Sequence, residues 1–388
     1  MRLRTITIIL AAALCTGCTD APHQENGSEA DCTAVSYVQD ERQLYLDRNS
    51  YTPINFDYMK AVWLPYTEYA ELLGGKSAEE VREALHERFA GYAAEGLNTV
   101  FVHVRAFGDA YYDSQIFPCG KYQSEDCDTL QIMLEEGHAA GLSVHAWINP
   151  LRCQSAEDMK NTPESFEAKA WTETADCGNI AEVNGYWWLE PSSEEAVGLI
   201  CSGVDEIVRQ YDVDGIHIDD YFCPAASEDF DKAAFEKSGS DDISEWRTAN
   251  CSRMVSSIYD TVKAADSRVL FGISPQGNIN ADYSSQFADV RRWASEEGFC
   301  DYIVPQIYFG FNNESCPFEK TLAEWTGLTE NSNVSLVIGL AEYKLGKADK
   351  WAGSSGENEW LDSPDIISRQ TKCVENSSAN GYAFYRQA

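Results

Sequence analysis

Asp212-Val-Asp-Gly-Ile-His-Ile-Asp-Asp-Tyr-Phe222 reads as a buried strand running into a loop. Side chains alternate across a strand, so Gly215, His217, Asp219 and Tyr221 share one face and Ile216 and Ile218 the other. The isoleucine face suits packing on helices. The His/Asp face must occupy an interior that holds polar groups, with Asp219 near its rim and Asp220 at the loop start. A buried carboxylate is costly unless it is paired or used, so these two acids are the first candidates for chemistry.

Working outward, seven more runs of this kind appear: Met59–Tyr66, Thr99–Arg105, Leu142–Asn149, Val269–Pro275, Tyr302–Tyr308, Leu336–Tyr343 and Gly381–Tyr385. Helical segments separate them, over Ser77–Glu95, Ser124–Ala140, Ser193–Tyr211, Ile243–Ala265, Ser284–Gly298, Phe318–Leu328 and Ser363–Val374. Ser77 followed by Glu80 is a capping box. Eight strands alternating with helices predict an α/β fold of the (βα)8 TIM-barrel type. An open doubly wound sheet is the alternative, but no glycine-rich phosphate loop follows the first strand.

The connections are lopsided. Helix-to-strand links are short, such as Gly141 alone, whereas strand-to-helix links are long, roughly 106–123, 150–192, 222–242 and 344–362. In a barrel all strand-to-helix loops lie on the face where active sites form. The extra residues therefore point to a site there.

Composition limits the partners. There are 29 Lys+Arg against 63 Asp+Glu, a net charge of −34. This argues against nucleic acid, whose phosphates need clustered cations. Hydrophobic residues at 44 % supply a large core and exclude a disordered acidic chain. Residues 1–18 (MRLRTITIILAAALCTGC) carry Arg2 and Arg4 and then an apolar run far short of the ~20 residues that span a bilayer. They are read as a signal peptide ending at a lipoprotein processing site, with Cys18 lipidated. Residues 19–56 form a polar tether and N-terminal extension, and 57–388 the barrel. The expected location is extracytoplasmic and membrane-anchored, or secreted if Cys18 is not lipidated, with the lipid as the sole membrane contact. Of the 13 cysteines, Cys119 and Cys127 are the most plausible disulfide pair by proximity.

Polar residues recur at the strand ends: His103 and Arg105; His145, Trp147 and Asn149, then Arg152; Gln276; Gln306 and Tyr308; and Glu342 and Lys344. Asn184 sits in the longest loop with Tyr186, Trp187 and Trp188. With His217 and Tyr221 they form a ring of donors, acceptors and aromatics around two carboxylates, the way sugars are bound. The catalytic candidates are Asp219, Asp220 and Glu342, because glycosidases use two carboxyl groups. Adjacent Asp side chains on a regular strand point to opposite faces, which makes Glu342 an alternative partner for Asp219 across the mouth.

The stretches Ala61–Leu64, Val104–Ala110, His145–Pro150 with Arg152, Asp212–Phe222, Phe271–Asn278, Asp301–Tyr308 and Gly339–Lys344 together resemble the divergent bacterial glycoside-hydrolase-like family 10, a family of extracytoplasmic lipoproteins. The resemblance runs from the first strand to the seventh in order. It implies a (βα)8 barrel that hydrolyses glycosidic bonds, with peptidoglycan glycan strands among the substrates of some members. Asp214 and Asp219 also match two acidic positions of the family 18 chitinase signature, but Tyr221 stands where that pattern has its acid Glu. That mechanism is not carried over.

The expected function is therefore an exported glycoside hydrolase acting on a cell-envelope or extracellular polysaccharide, with no cofactor. One alternative is a metal-dependent hydrolase or deacetylase using His103, His145, His217 and Asp219, although no HxH or HExxH spacing exists. The other is a non-catalytic glycan-binding lipoprotein. The acidic surface favours a neutral or peptide-stripped glycan over an intact anionic wall.

Overall fold

The computed structural model describes residues 51–124, 126–174, 177–224 and 230–386. The signal peptide, Cys18 and most of the tether lie outside the described residues.

Eight parallel strands build the barrel: β1 Met59–Leu64, β2 Thr99–Arg105, β3 Ser143–Ile148, β4 Gly215–Ile218, β5 Leu270–Ile273, β6 Tyr302–Ile303, β7 in two pieces (Ser335–Leu336 and Ile338–Ala341), and β8 Gly381–Tyr385. Neighbours in sequence are neighbours in the sheet. The two pieces of β7 close it, one pairing with β6 and the other with β8, which in turn pairs with β1. The expected TIM-barrel architecture is the observed one.

Helices α1 Ala78–Ala94, α2 Thr129–Ala139, α3 Glu194–Gln210, α4 Ile243–Ala265, α5 Val290–Ser295, α6 Phe318–Thr329 and α7 Ile366–Glu375 lie between the strands. The capping box forms, with Ser77 and Glu80 each satisfying the other's backbone N–H. The long helix expected over Ser284–Gly298 does not. Asn278 caps an earlier short helix, Ile279–Ser285, and Phe287 then takes φ 55°, which a helix cannot contain. Asp289 caps a fresh start at α5.

Outward-facing strand residues such as Val62, Val102, Val144, Ile216 and Phe271 pack with the helices in one large core. Inward-facing ones, Ala61, Trp63, Phe101, Trp147, Tyr302, Val304 and Ala383, form a separate interior cluster. Two glycines make room inside. A Cβ on Gly215 would press on the His145 ring, and one on Gly272 would enter the Tyr302 ring.

Between β3 and α3 lies a three-stranded antiparallel sheet of Arg152–Ser155, Tyr186–Leu189 and Ile180–Val183. At the opposite end of the barrel, Asp214 accepts hydrogen bonds from the backbone N–H of Ile54 and Val144 and from the Tyr51 hydroxyl, which holds residues 51–54 against the barrel floor. Cys127 is a free cysteine. The Cys119–Cys127 pairing is therefore corrected: Cys127 is buried with its thiol beside the Thr129 hydroxyl.

Candidate active site

The site rests on a polar spine inside the barrel. Trp63 Nε1 lies 3.1 Å from His217 Nε2, and His217 Nδ1 lies 3.0 Å from the Tyr302 hydroxyl. The same hydroxyl is 2.7 Å from His145 Nδ1, and His145 Nε2 is 3.0 Å from Ser143 Oγ. An indole can only donate. Trp63 therefore donates to His217 Nε2, and neutral His217 donates from Nδ1 to the Tyr302 hydroxyl, which also bonds His145 Nδ1, while His145 Nε2 bonds Ser143 Oγ. Both imidazoles are neutral in this chain. Burial agrees, holding His145 down at about 4 and His217 well below the usual imidazole range.

Above this layer opens a cleft of about 320 Å³ lined by Trp63, Pro65, Tyr66, Thr67, His103, Trp147, Asn149, Asp219, Asp220, Tyr221, Gln306, Tyr308 and Tyr385. Asp219 and Asp220 face the same cleft because β4 ends at Ile218. Past that residue the strand's alternation no longer applies, which removes the objection to an adjacent pair.

Burial and the neighbouring Asp220 charge push the Asp219 carboxyl well above the ordinary carboxylate range. The Tyr221 backbone N–H (3.3 Å), the Trp147 indole and the Arg152 guanidinium pull the other way. Burial raises Asp220 as well, opposed by the amide side chains of Gln306 and Gln286. Burial therefore opposes ionisation of both carboxyls, and at Asp219 the Asp220 charge adds to it.

His103 stacks on Trp147 with ring centroids 3.6 Å apart, and burial brings it down to about 3. The Asn149 amide lies beside it, yet neither His103 nitrogen nor the Asn149 carbonyl oxygen has a hydrogen-bond partner of good geometry among the described residues. Buried polar atoms are nearly always satisfied. Unmatched ones in the wall of a cleft make that wall a candidate binding surface.

Of the sequence candidates, His103, Trp147, Asn149, Asp219, Asp220, Tyr221, Gln306 and Tyr308 converge here. Arg152 borders the cleft, clasped by the rings of Phe107, Tyr186 and Tyr221 at 4.5, 4.6 and 4.9 Å. The rest are placed elsewhere. A register shift between His103 and Arg105 turns Arg105 outward, under Phe117 and against α3. His145 and His217 lie one layer below the cleft, fully buried. Asn184 is the first residue of the Asn184-Gly185 hairpin turn, exposed and with φ 52°. Gln276 bridges to Gln306 through its backbone. Lys344 is held by the Asp349 carboxylate and the Tyr308 carbonyl, both at 2.8 Å. Glu342 is paired with Arg386 at 2.6 Å and does not line the cleft. The four-residue metal set does not assemble, because His145 and His217 already use their ring nitrogens in the spine. No group of three or more His, Cys, Asp or Glu able to hold a metal occurs among the described residues.

Sequence reasoning missed the contributions of the first and last strands, Trp63, Tyr66 and Tyr385. The aromatic run Trp63-Leu-Pro-Tyr66 at a strand's end was the available signal. It also missed Asp282, a fully buried acid on the short Ile279–Ser285 helix, pushed well above its ordinary range by burial and by Asp220.

The sequence profile described as Glycosyl hydrolase-like 10 matches residues 58–356, from β1 to past β7. The chain belongs to this family. Glycosyl hydrolase YngK of Bacillus subtilis (strain 168) is 32 % identical over 336 residues, or 78 % of this chain, and the match spans 63 % of that relative's length. Glycosyl hydrolase DigH of Escherichia coli (strain K12) is 29 % identical over 385 residues, covering 90 % of this chain and 85 % of the relative. Among solved structures, the PgaB (BpsB) glycoside hydrolase domain from Bordetella bronchiseptica aligns with TM-score 0.55 at 12 % identity, over 84 % of this chain and 94 % of that one. Alpha-L-fucosidase isoenzyme 2 from Paenibacillus thiaminolyticus aligns with TM-score 0.52 at 14 % identity, over 85 % of this chain and 46 % of that one. At these identities the structural likeness is one of fold alone, a (βα)8 barrel.

Proposed function

We propose that this member of the glycosyl hydrolase-like 10 family is an exported enzyme that hydrolyses O-glycosidic bonds of a cell-envelope or extracellular polysaccharide, with peptide-stripped peptidoglycan strands as the leading substrate. The observation that carries this reading is the buried Asp219/Asp220 pair, facing one cleft beside the unmatched polar atoms of His103 and Asn149.

The division of labour follows the environments. Asp219 is the more strongly raised of the two and takes the acid role. It gives its proton to the bridging oxygen as the bond to the sugar carbon breaks. Asp220, whose charge is favoured by the Gln306 and Gln286 amides, faces the electron-poor carbon and accepts a proton from water. The water hydroxyl ends on the sugar carbon. One water is consumed, one reducing end and one free hydroxyl form, and the pair returns to its starting protonation. His103, Asn149 and Gln306 offer hydrogen bonds to sugar hydroxyls, and Tyr66, Tyr221, Tyr308 and Tyr385 offer ring faces.

The test is incubation with intact peptidoglycan, with amidase-stripped glycan strands and with a panel of neutral polysaccharides, products being read by mass spectrometry. New reducing ends from stripped strands, in excess over intact wall, are expected. Sugar binding without release of any reducing end would mean a non-catalytic glycan-binding protein.

A further inference from the structure

Beside the carboxylate cleft lies a second and larger cavity of about 600 Å³. Both volumes fall in the ~300–1,000 Å³ range of ligand sites. Tyr66 lines both cavities. Residues of the two enlarged connections after β2 and β3 build the rest of the second one, among them Phe107, Lys121, Gln154, Asn161 and Tyr186. An open pocket of this size, built by two long insertions beside the carboxylate cleft, has room for a sugar unit.

The partition between the cavities is built with care. Arg152 stacks on Phe107 and Tyr186, which line the second cavity, and on Tyr221, which lines the first. Tyr66 meets Phe107 edge-on at 4.9 Å and His103 at 5.4 Å. One guanidinium thus fixes aromatic walls in both chambers, and half-buried Tyr66, Phe107 and Tyr186 leave ring surface open. Fixed ring faces beside amide side chains are what a pyranose needs.

We propose that the second cavity is the subsite for a neighbouring sugar of the same glycan chain. The substrate is then a linear polysaccharide laid across Tyr66, with its scissile bond at Asp219/Asp220 and further residues beyond it. This rests on the glycosidase reading and adds that cleavage is internal to a polymer and not confined to a terminal disaccharide.

The test uses amidase-stripped glycan strands sorted into oligomers of roughly two to eight sugars, a span that fills one chamber and then both. They are titrated calorimetrically onto full-length Asp219→Asn protein, alone and combined with Gln154→Trp, which fills the second chamber, or Tyr186→Ala, which removes one of its ring faces. The readout is the ratio of affinities for the longest and shortest oligomers within each protein. The expected ratio is about tenfold or more with the chamber open, the scale of one or two stacked ring contacts. It should collapse toward one with Gln154→Trp and fall with Tyr186→Ala. An unchanged ratio in both variants, or no binding of any oligomer to the open chamber, overturns the subsite. Length-dependent binding by a wild-type protein that releases no reducing ends overturns the glycosidase reading alone and leaves the subsite standing.

Discussion

The indole N–H of Trp63 donates to Nε2 of His217 at 3.1 Å, and this contact leaves the proton of the neutral His217 ring on Nδ1, facing the Tyr302 hydroxyl. The donor-only indole makes His217 an acceptor at Nε2 and a donor at Nδ1, and the Tyr302 hydroxyl links it to His145 and Ser143. The spine carries no charge and gives the cleft above it a rigid floor.

Trp63→Phe leaves His217 Nε2 buried without a donor. An unsatisfied buried acceptor costs about 1–3 kcal/mol. Denaturant unfolding should show a loss of that size, and an unchanged midpoint would mean that the spine does not hold the barrel.

Gly272→Ala should be at least as damaging. The new methyl meets the Tyr302 ring, which is held on both sides by His145 and His217 and cannot rotate away without breaking those bonds. Overpacking of this kind costs roughly 1–3 kcal/mol or more. Thermal unfolding compared with Gly327→Ala, at a site open to added atoms, isolates the clash.

Much of this was legible in one dimension. The Asp212–Phe222 run showed a polar inward face and an apolar outward one, and that is how β4 sits. The alternation rule failed where the backbone stopped being a regular strand. It misdirected Arg105 at a β-bulge and wrongly separated Asp219 from Asp220, which follow the end of β4. It also could not tell depth. His145 and His217 point inward as expected, but residues one turn of the barrel higher cover them. Glu342 looked free in sequence because its partner, Arg386, is 44 residues away.

Asp219→Asn should stabilise the protein at neutral pH while abolishing turnover. Burial raises the folded carboxyl above its unfolded value of 3.8. Below that value the group is neutral in both states and costs nothing; as pH rises from the unfolded value toward the folded one the cost grows, and above the folded value it levels off. The stability gain of the amide should therefore be largest near pH 7 and shrink toward pH 3.5, roughly the unfolded carboxyl value. Equilibrium unfolding at both pH values checks this, and a variant less stable than wild type at pH 7 would contradict it.

Glu342→Gln breaks the pairing with Arg386 and leaves the cleft lining intact. Its turnover should stay within about threefold of wild type, against the 10²–10⁴-fold typical of a lost acid or base. A loss on the larger scale would return Glu342 to the catalytic pair.

Cys18→Ala tests the proposed anchor. In a bacterial host the variant should lose metabolic labelling by palmitate and move from the membrane fraction to the soluble one. Retained labelling would remove Cys18 as the lipid site.

The most direct measurement is reducing-end release from amidase-stripped glycan strands by wild type, Asp219→Asn and Asp220→Asn, each first shown to fold by circular dichroism. The account predicts release by wild type and a fall of about 10²-fold or more in each variant. Wild-type-like release by either folded variant would contradict the role given to the Asp219/Asp220 pair.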